Sequence, residues 1–229
     1  MFFSQATELS KITTPTAQIV AQSKPSPQGQ ALLTQGMSPG QYLHALEKNK
    51  LSVDSVHFLA HGLPQKDSIC WACQSSRLTA AKMSGPEMDA LRSTEAWLKN
   101  PSPDASAALK ASLGKVDYTG PGSWTAQSAV WSMAPAAAAP GMPAVNLTAS
   151  AVAGAILLAA GLNSGPAMPA VPQPKLSLPT QSIPQAQLPK FAQPAGPGMP
   201  VVDQSKMMKP LHPFLDLGKG VGNGNLVCS

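Results

Sequence analysis

Proline is distributed so unevenly along this chain that it limits where a folded domain can lie. Twelve of the 24 prolines fall in the 48 residues from Pro166 to Pro213. Proline lacks the amide hydrogen that helices and central strands need, so such a tract favours extended, polyproline-II-like backbone. We therefore expect a Pro-rich linker or strap over residues 164–210, and a folded domain before it.

The segment before the tract is marked by helix start and stop signals at short intervals. Ser38 and Ser102 each precede a proline, which is the typical N-cap and first-turn pairing. Gly62, Gly114 and the Leu63-Pro64 pair supply stops. The signals predict short helices over residues 39–49, 65–83, 86–99, 103–114, 123–133 and 148–162. A further helix is predicted after Ser52, its N-cap, with an apolar stripe from Val53 to Leu63 and a stop at Gly62-Leu63-Pro64.

The pattern predicts an all-α fold, because no stretch alternates apolar and polar residues as a half-buried strand does. Short connections favour antiparallel neighbours, so the expected architecture is a small bundle or solenoid-like array of six to seven short helices. The domain organisation we expect is as follows: a flexible N-terminal arm over 1–37, a helical domain over 38–163, the Pro-rich strap over 164–210, and a short helix with a Gly-rich tail over 211–229.

The helix predicted over 148–162 is apolar all round, and no charged residue occurs between Tyr118 and Pro174. A helix of this kind is either buried on every side or lies in a bilayer. A membrane span needs about 20 apolar residues, and this stretch is shorter and interrupted by polar side chains. We therefore expect a central buried helix, and keep a membrane-associated component that uses residues 148–162 as an alternative.

Charge and cysteine content exclude several classes of protein. Charged residues make up 12% of the chain and the net charge is +5, with the basic residues scattered, so we expect no nucleic-acid partner. Three cysteines do not form an even disulfide framework, and the first residues lack the pattern of a signal peptide. The sequence thus favours a cytoplasmic protein.

Four residues have a spacing that suggests metal or redox chemistry. His57 and His61 are followed by Cys70 and Cys73, the residue types of a Cys2His2 zinc site. Helical packing of two small thiols explains the Cys pair equally well, and a redox CxxC belongs at a helix N-terminus in a βαβ setting that is absent here. We assign no metal and no cofactor, and keep a zinc-stabilised module as an alternative.

The remaining candidate features favour protein binding over catalysis. No GxSxG elbow is present, and the Gly218–Gly224 run has too few residues after it to form a phosphate loop, so we predict no catalytic residues and a flexible Gly-rich tail. Large aromatic side chains anchor many protein interfaces. The candidates for contact with a partner are Trp97, Trp124 and Phe214. PxxP spacings, such as Pro169/Pro172 and Pro210/Pro213, are also possible docking ligands.

Several motifs, taken in order, resemble an uncharacterised bacterial family of helical domains of unknown function. The helix at Tyr42-Leu43 is similar to its "yLaaL" signal, residues 56–64 to "fLAhALP", residues 69–73 to "WWAC", Ala96-Trp97 to "AW", and residues 151–160 to "AVAGAVLLAA". The match covers about residues 38–162. Cys70 replaces an aromatic residue of the family pattern, which makes the CxxC look incidental.

Members of that family are often encoded beside type VI secretion genes and have no assigned enzymatic activity. The resemblance implies a cytoplasmic adaptor, scaffold or effector-handling protein. The partner it implies is another protein, from the secretion apparatus or among its effectors.

Overall fold

The computed structural model describes residues 8–133, 146–164 and 204–226. Within these ranges every regular element is helical, so the predicted all-α fold is confirmed. The elements are α1 (Thr16–Ser23), α2 (Pro27–Ala31), α3 (Pro39–Lys48), α4 (Ser52–Gly62), α5 (Gln65–Arg77), a 3₁₀ turn (Ala80–Lys82), α6 (Gly85–Lys99), α7 (Pro103–Leu113), α8 (Pro121–Met133), α9 (Leu147–Asn163) and α10 (Gln204–Gly222).

The helix starts follow the predicted capping chemistry at most positions. Ser38 and Gln41 form a reciprocal capping box at the start of α3, and Ser84 and Ser102 accept backbone N–H groups at the starts of α6 and α7. Ser52 differs, because it is the first residue of α4 and Leu51 occupies the cap position. The helix predicted over residues 65–83 ends earlier, at Arg77, and a separate 3₁₀ turn follows at Ala80–Lys82.

Helix α9 lies at the centre of the fold and contacts α4, α5, α8 and α10. The Gln65 amide donates to the Thr148 hydroxyl near the start of both α5 and α9. The Lys82 ammonium, in the 3₁₀ turn after α5, donates to the Leu162 carbonyl near the end of α9, so the two helices run in the same direction. Nine of its residues are buried, six of them alanines. Small side chains let the neighbouring helices approach the α9 backbone closely.

Residues 8–37 were expected to form a flexible arm, but they pack onto the domain. Ile19 is fully buried, and Leu9 and Ile12 join the same core. The buried Asp54 carboxylate accepts hydrogen bonds from the backbone N–H and hydroxyl of Ser26, which caps α2. No local sequence signal indicates this contact, because Asp54 lies 28 residues after Ser26.

The C-terminal helix is longer than the sequence predicted. We expected a helix over residues 211–217 followed by a flexible Gly-rich tail, whereas α10 begins at Gln204 and ends at Gly222. It takes in Pro210 and Pro213 from the end of the Pro-rich tract and three of the tail glycines. The rest of the predicted strap, residues 165–203, lies outside the described residues, as do the PxxP spacings within it.

Helices α6 and α8 come together through a glycine at their closest point. A Cβ atom on Gly122 would lie 2.3 Å from the Glu87 backbone oxygen and 2.6 Å from Met83 Cε. The Glu87 side chain is 3% exposed, and its Oε2 accepts the Ser123 N–H at 2.7 Å in the first turn of α8. The positive end of the α8 dipole also stabilises a carboxylate in this position.

We expect Gly122→Ala to destabilise the fold by about 1–3 kcal/mol, the usual cost of overpacking. The new methyl group meets backbone, which cannot rotate away. Gly85→Ala is the matched control, because a Cβ atom there meets nothing within 4 Å, and we expect no loss of stability. Urea denaturation of the two variants measures the difference, and equal stabilities would contradict this account of the α6–α8 contact.

Candidate functional site

A groove formed by α4, α5 and α9 holds helix α10, and we call this surface the α10 groove. The side chains that α10 places in it are apolar and at most 1% exposed. They are Leu211, Phe214, Leu215 and Val221. An amphipathic helix with its apolar face in a groove between other helices is one of the standard modes of peptide recognition.

Trp71 on α5 sets the position of α10. Its indole Nε1–H donates to the Phe214 carbonyl at 2.7 Å in a buried hydrogen bond. A Cβ atom on Gly218 would lie 2.7 Å from Trp71 Cε2, so the helix backbone passes directly over the indole ring at that point. A glycine at position 218 is therefore a steric requirement of the docked helix.

Ion pairs and backbone contacts hold the C-terminal half of α10. The Lys219 ammonium lies 3.1 Å from a Glu47 carboxylate oxygen on α3 and 2.9 Å from one of Asp216. Burial acts to lower the pKa of Lys219, but its hydrogen bonds and charge interactions with these two carboxylates raise it overall. The Gly222 carbonyl also accepts the Lys11 N–H at 2.9 Å, so the N-terminal segment closes over the end of the helix.

The sequence of α10 is a poor helix former. Its interior contains Pro210 and Pro213, and an interior proline removes a backbone hydrogen bond at a cost of about 3 kcal/mol. Gly218 and Gly220 each cost about 1 kcal/mol relative to alanine. Contacts with the α10 groove must therefore supply much of what keeps this segment helical.

His57 and His61 lie on α4, with ring centroids 6.4 Å apart. His61 Nδ1 lies 2.9 Å from the His57 carbonyl, so this nitrogen carries the proton and donates. Burial, together with the neighbouring His61, lowers the pKa of His57 to about 4, although Asp54 acts in the opposite direction. Burial likewise lowers the pKa of His61. Both rings are therefore neutral at pH 7.

The cysteines on α5 differ from each other. Cys70 takes part in a disulfide, whereas Cys73 is a free thiol whose pKa is raised by burial and by Glu95. The third cysteine, Cys228, lies outside the described residues. Neither α5 sulfur is thus an available thiolate, the form that binds zinc or attacks a disulfide. Within the described ranges, no group of three or more His, Cys, Asp or Glu side chains is placed to hold a metal ion.

All three aromatic residues predicted to contact a partner pack within the molecule. Phe214 is fully buried in the α10 groove, and Trp97 on α6 is 7% exposed in the core. Trp124 is partly buried: its Nε1–H donates to the Tyr118 carbonyl at 3.1 Å, and its ring meets that of Tyr118 edge to face. Sequence reasoning found Phe214 but missed Trp71, Glu47 and Gly218, because their pairing joins segments far apart in the chain.

A shallow depression of about 440 Å³ lies between the start of α6 and the end of α7. Lys115 and Asp117 supply its charged groups. The Asp117 pKa is lowered mainly by hydrogen bonds from Thr119, a pairing within the local turn. Of the two surfaces, the α10 groove is the better candidate for a binding site, because it holds a defined helix through four buried apolar side chains.

Comparison with known protein families gives a match over much of the chain. The model of DUF6931, a family of unknown function, covers residues 42–173, which is more than half of the chain. The chain belongs to the DUF6931 family. The resemblance noted from the motifs is confirmed in that respect. No curated protein and no solved structure matches the chain.

The matched region runs from α3 through α9, so it includes the groove surfaces of α4, α5 and α9 but ends before α10. Helix α9, the predicted central helix, has 17 residues. None of the described helices is both long and apolar enough to cross a membrane.

The two neutral histidines predict that acid destabilises the protein. The pKa of His57 is about 4 in the folded state and near 6.5 in an unfolded chain, so the unfolded state binds the proton first as the pH falls. The stabilisation is complete above pH 6.5 and is lost between pH 6.5 and 4. At pH 5 the loss from His57 is on the order of 2 kcal/mol.

Urea midpoints at pH 7.5 and pH 5 measure this effect. His57→Gln should reduce the difference between the two pH values, because glutamine does not titrate. His44→Gln is the control, since His44 is exposed on α3, and it should retain the wild-type difference. Equal pH dependence in all three proteins would contradict the assignment to His57.

Proposed function

We propose that this member of the DUF6931 family is a non-catalytic adaptor that binds a helical segment of a protein partner in the α10 groove. In the structure described here, the protein's own C-terminal helix occupies that site. The partner helix then takes the place of α10, whose segment is joined to the domain by residues 165–203. The observation that carries this proposal is the docking of α10.

Two features of α10 support exchange with a partner. Its prolines and glycines make it a weak helix outside the groove, so much of its own binding energy is spent on ordering the segment. A partner helix with better intrinsic propensity and the same apolar spacing would not bear that cost. The spacing of Leu211, Phe214, Leu215 and Val221 defines the side-chain pattern that such a partner should present.

The resemblance to a family often encoded beside type VI secretion genes supports a more specific proposal. We propose that the partner is a component or an effector of a bacterial type VI secretion apparatus, and that binding takes place in the cytoplasm. Fractionation of the native cells before the binding experiment tests this location.

The test is affinity capture from the native bacterium with the tagged full-length protein, read by mass spectrometry. Gly218→Leu should displace α10, because the new side chain has no room above the Trp71 ring. We expect this variant to capture the partner at least threefold more than wild type. Gly85→Leu is the matched control, since a Cβ atom there meets open space, and it should behave like wild type.

A synthetic peptide of residues 204–226 supplies an independent measurement. Added in excess, it should compete with the partner for the groove of Gly218→Leu and reduce capture. Circular dichroism verifies that the variant retains the helical domain. Capture that is unchanged by both the substitution and the peptide would overturn the groove as the binding site. Capture of a partner unrelated to secretion would overturn only the more specific proposal.

A further inference from the structure

Glu47 places a negative charge at the edge of the α10 groove. It lies on α3, and its Oε1 is 3.1 Å from the Lys219 ammonium of α10. The two side chains are only 21% and 20% exposed, so the carboxylate has lost much of its contact with water. Among the residues that the structure describes, Lys219 is the cation that pairs with it. A carboxylate in this state is destabilised when its partner is removed.

Trp71 fixes the register in which a helix lies in the groove. Its Nε1–H donates to the Phe214 carbonyl at 2.7 Å, and a Cβ atom on Gly218 would lie 2.7 Å from its Cε2. Moving the helix by one residue would place a side chain over the indole ring, where there is no room for it. A helix bound here therefore presents one defined position to Glu47, which is the residue directly after the glycine.

The charge at that position is shared between the helix and the groove. Lys219 also lies 2.9 Å from Asp216, three residues earlier on α10 and 51% exposed. The two carboxylates together raise the pKa of Lys219, although burial acts in the opposite direction, so the ammonium stays charged. Asp216 belongs to the bound helix and moves with it. Glu47 is the half of this pairing that belongs to the domain.

The other contacts of α10 discriminate less between helices. Its buried leucine, phenylalanine and valine side chains contribute through the hydrophobic effect, which has no direction. Many amphipathic helices offer similar apolar spacing. A mostly buried carboxylate is more selective, because a neutral residue opposite it leaves the charge unpaired and an acidic residue repels it.

We propose that Glu47 is the specificity-determining residue of the α10 groove, and that it selects partner helices with a basic residue directly after the glycine that crosses Trp71. This inference rests on the proposed function. It defines the partner segment as an amphipathic helix that carries apolar side chains at the positions of Leu211, Phe214, Leu215 and Val221, a glycine at that of Gly218, and a lysine or arginine at that of Lys219.

A labelled peptide tests the charge selection. The probe is residues 204–226 with a fluorescein label, and with Pro213→Ala at an exposed position to improve its helix propensity. The protein is the full-length Gly218→Leu variant, in which α10 should be displaced from the groove. Fluorescence anisotropy should show saturable binding, and the same peptide with Lys219→Glu should bind at least tenfold more weakly. Both peptides meet the same protein, so its folding cannot cause the difference.

Reversing the charge of the groove should reverse the preference. With Glu47→Lys added to Gly218→Leu, the Lys219→Glu peptide should bind at least threefold more tightly than the peptide that keeps lysine. A residue that only supports the fold would weaken both peptides alike. Asp89→Lys is the matched control, because Asp89 is 66% exposed on α6 and pairs with Arg92. It makes the same change in net charge and should leave the preference for lysine intact.

The outcomes separate this inference from the proposed function. Equal binding of the two peptides to Gly218→Leu would overturn charge selection and leave the groove as a binding site. A preference that does not change with Glu47→Lys would also overturn the role of Glu47 alone. A Gly218→Leu protein that binds neither peptide would contradict the exchange of helices in the groove, and would overturn the proposed function together with this inference.

Discussion

The fold depends on how closely other helices can approach α9. Alanine occupies six of its nine buried positions, and small side chains bring neighbouring backbones together. Four helices use this property: α4, α5, α8 and the C-terminal α10. Several helices therefore share one central partner, and the aromatic side chains of Trp71, Tyr42, Phe58 and Phe214 are buried around it.

The same requirement for close approach explains the glycines at three helix contacts. Gly122 brings α8 against Glu87 on α6, Gly218 brings α10 over Trp71, and Gly222 lies against Leu9. A Cβ atom at any of them would meet protein at less than 3.0 Å. Gly154 and Gly161 differ because their space is open. Close packing therefore requires glycine at the first three positions and does not require it at the last two.

Much of the helical architecture could be predicted because its signals are local. Ser-Pro pairs start α3 and α7, and apolar residues recur at helical spacing between the caps. The N-terminal segment and α10 could not be predicted in the same way. Asp54 binds Ser26 across 28 residues, and Trp71 binds the Phe214 carbonyl across 143. The candidate site depends on the second of these contacts, so sequence reasoning identified Phe214 without its groove.

The sequence by itself determined the class of fold, the bounds of most helices and the apolar character of α9, because these follow from caps, proline and hydrophobic spacing within a few residues. Tertiary structure decided that the Pro- and Gly-containing C-terminal segment is helical and that one face of α9 is left partly exposed. The physical reason is the same in both cases. A helix with poor propensity forms only when a groove stabilises it, and the burial of an apolar helix depends on how many neighbours surround it.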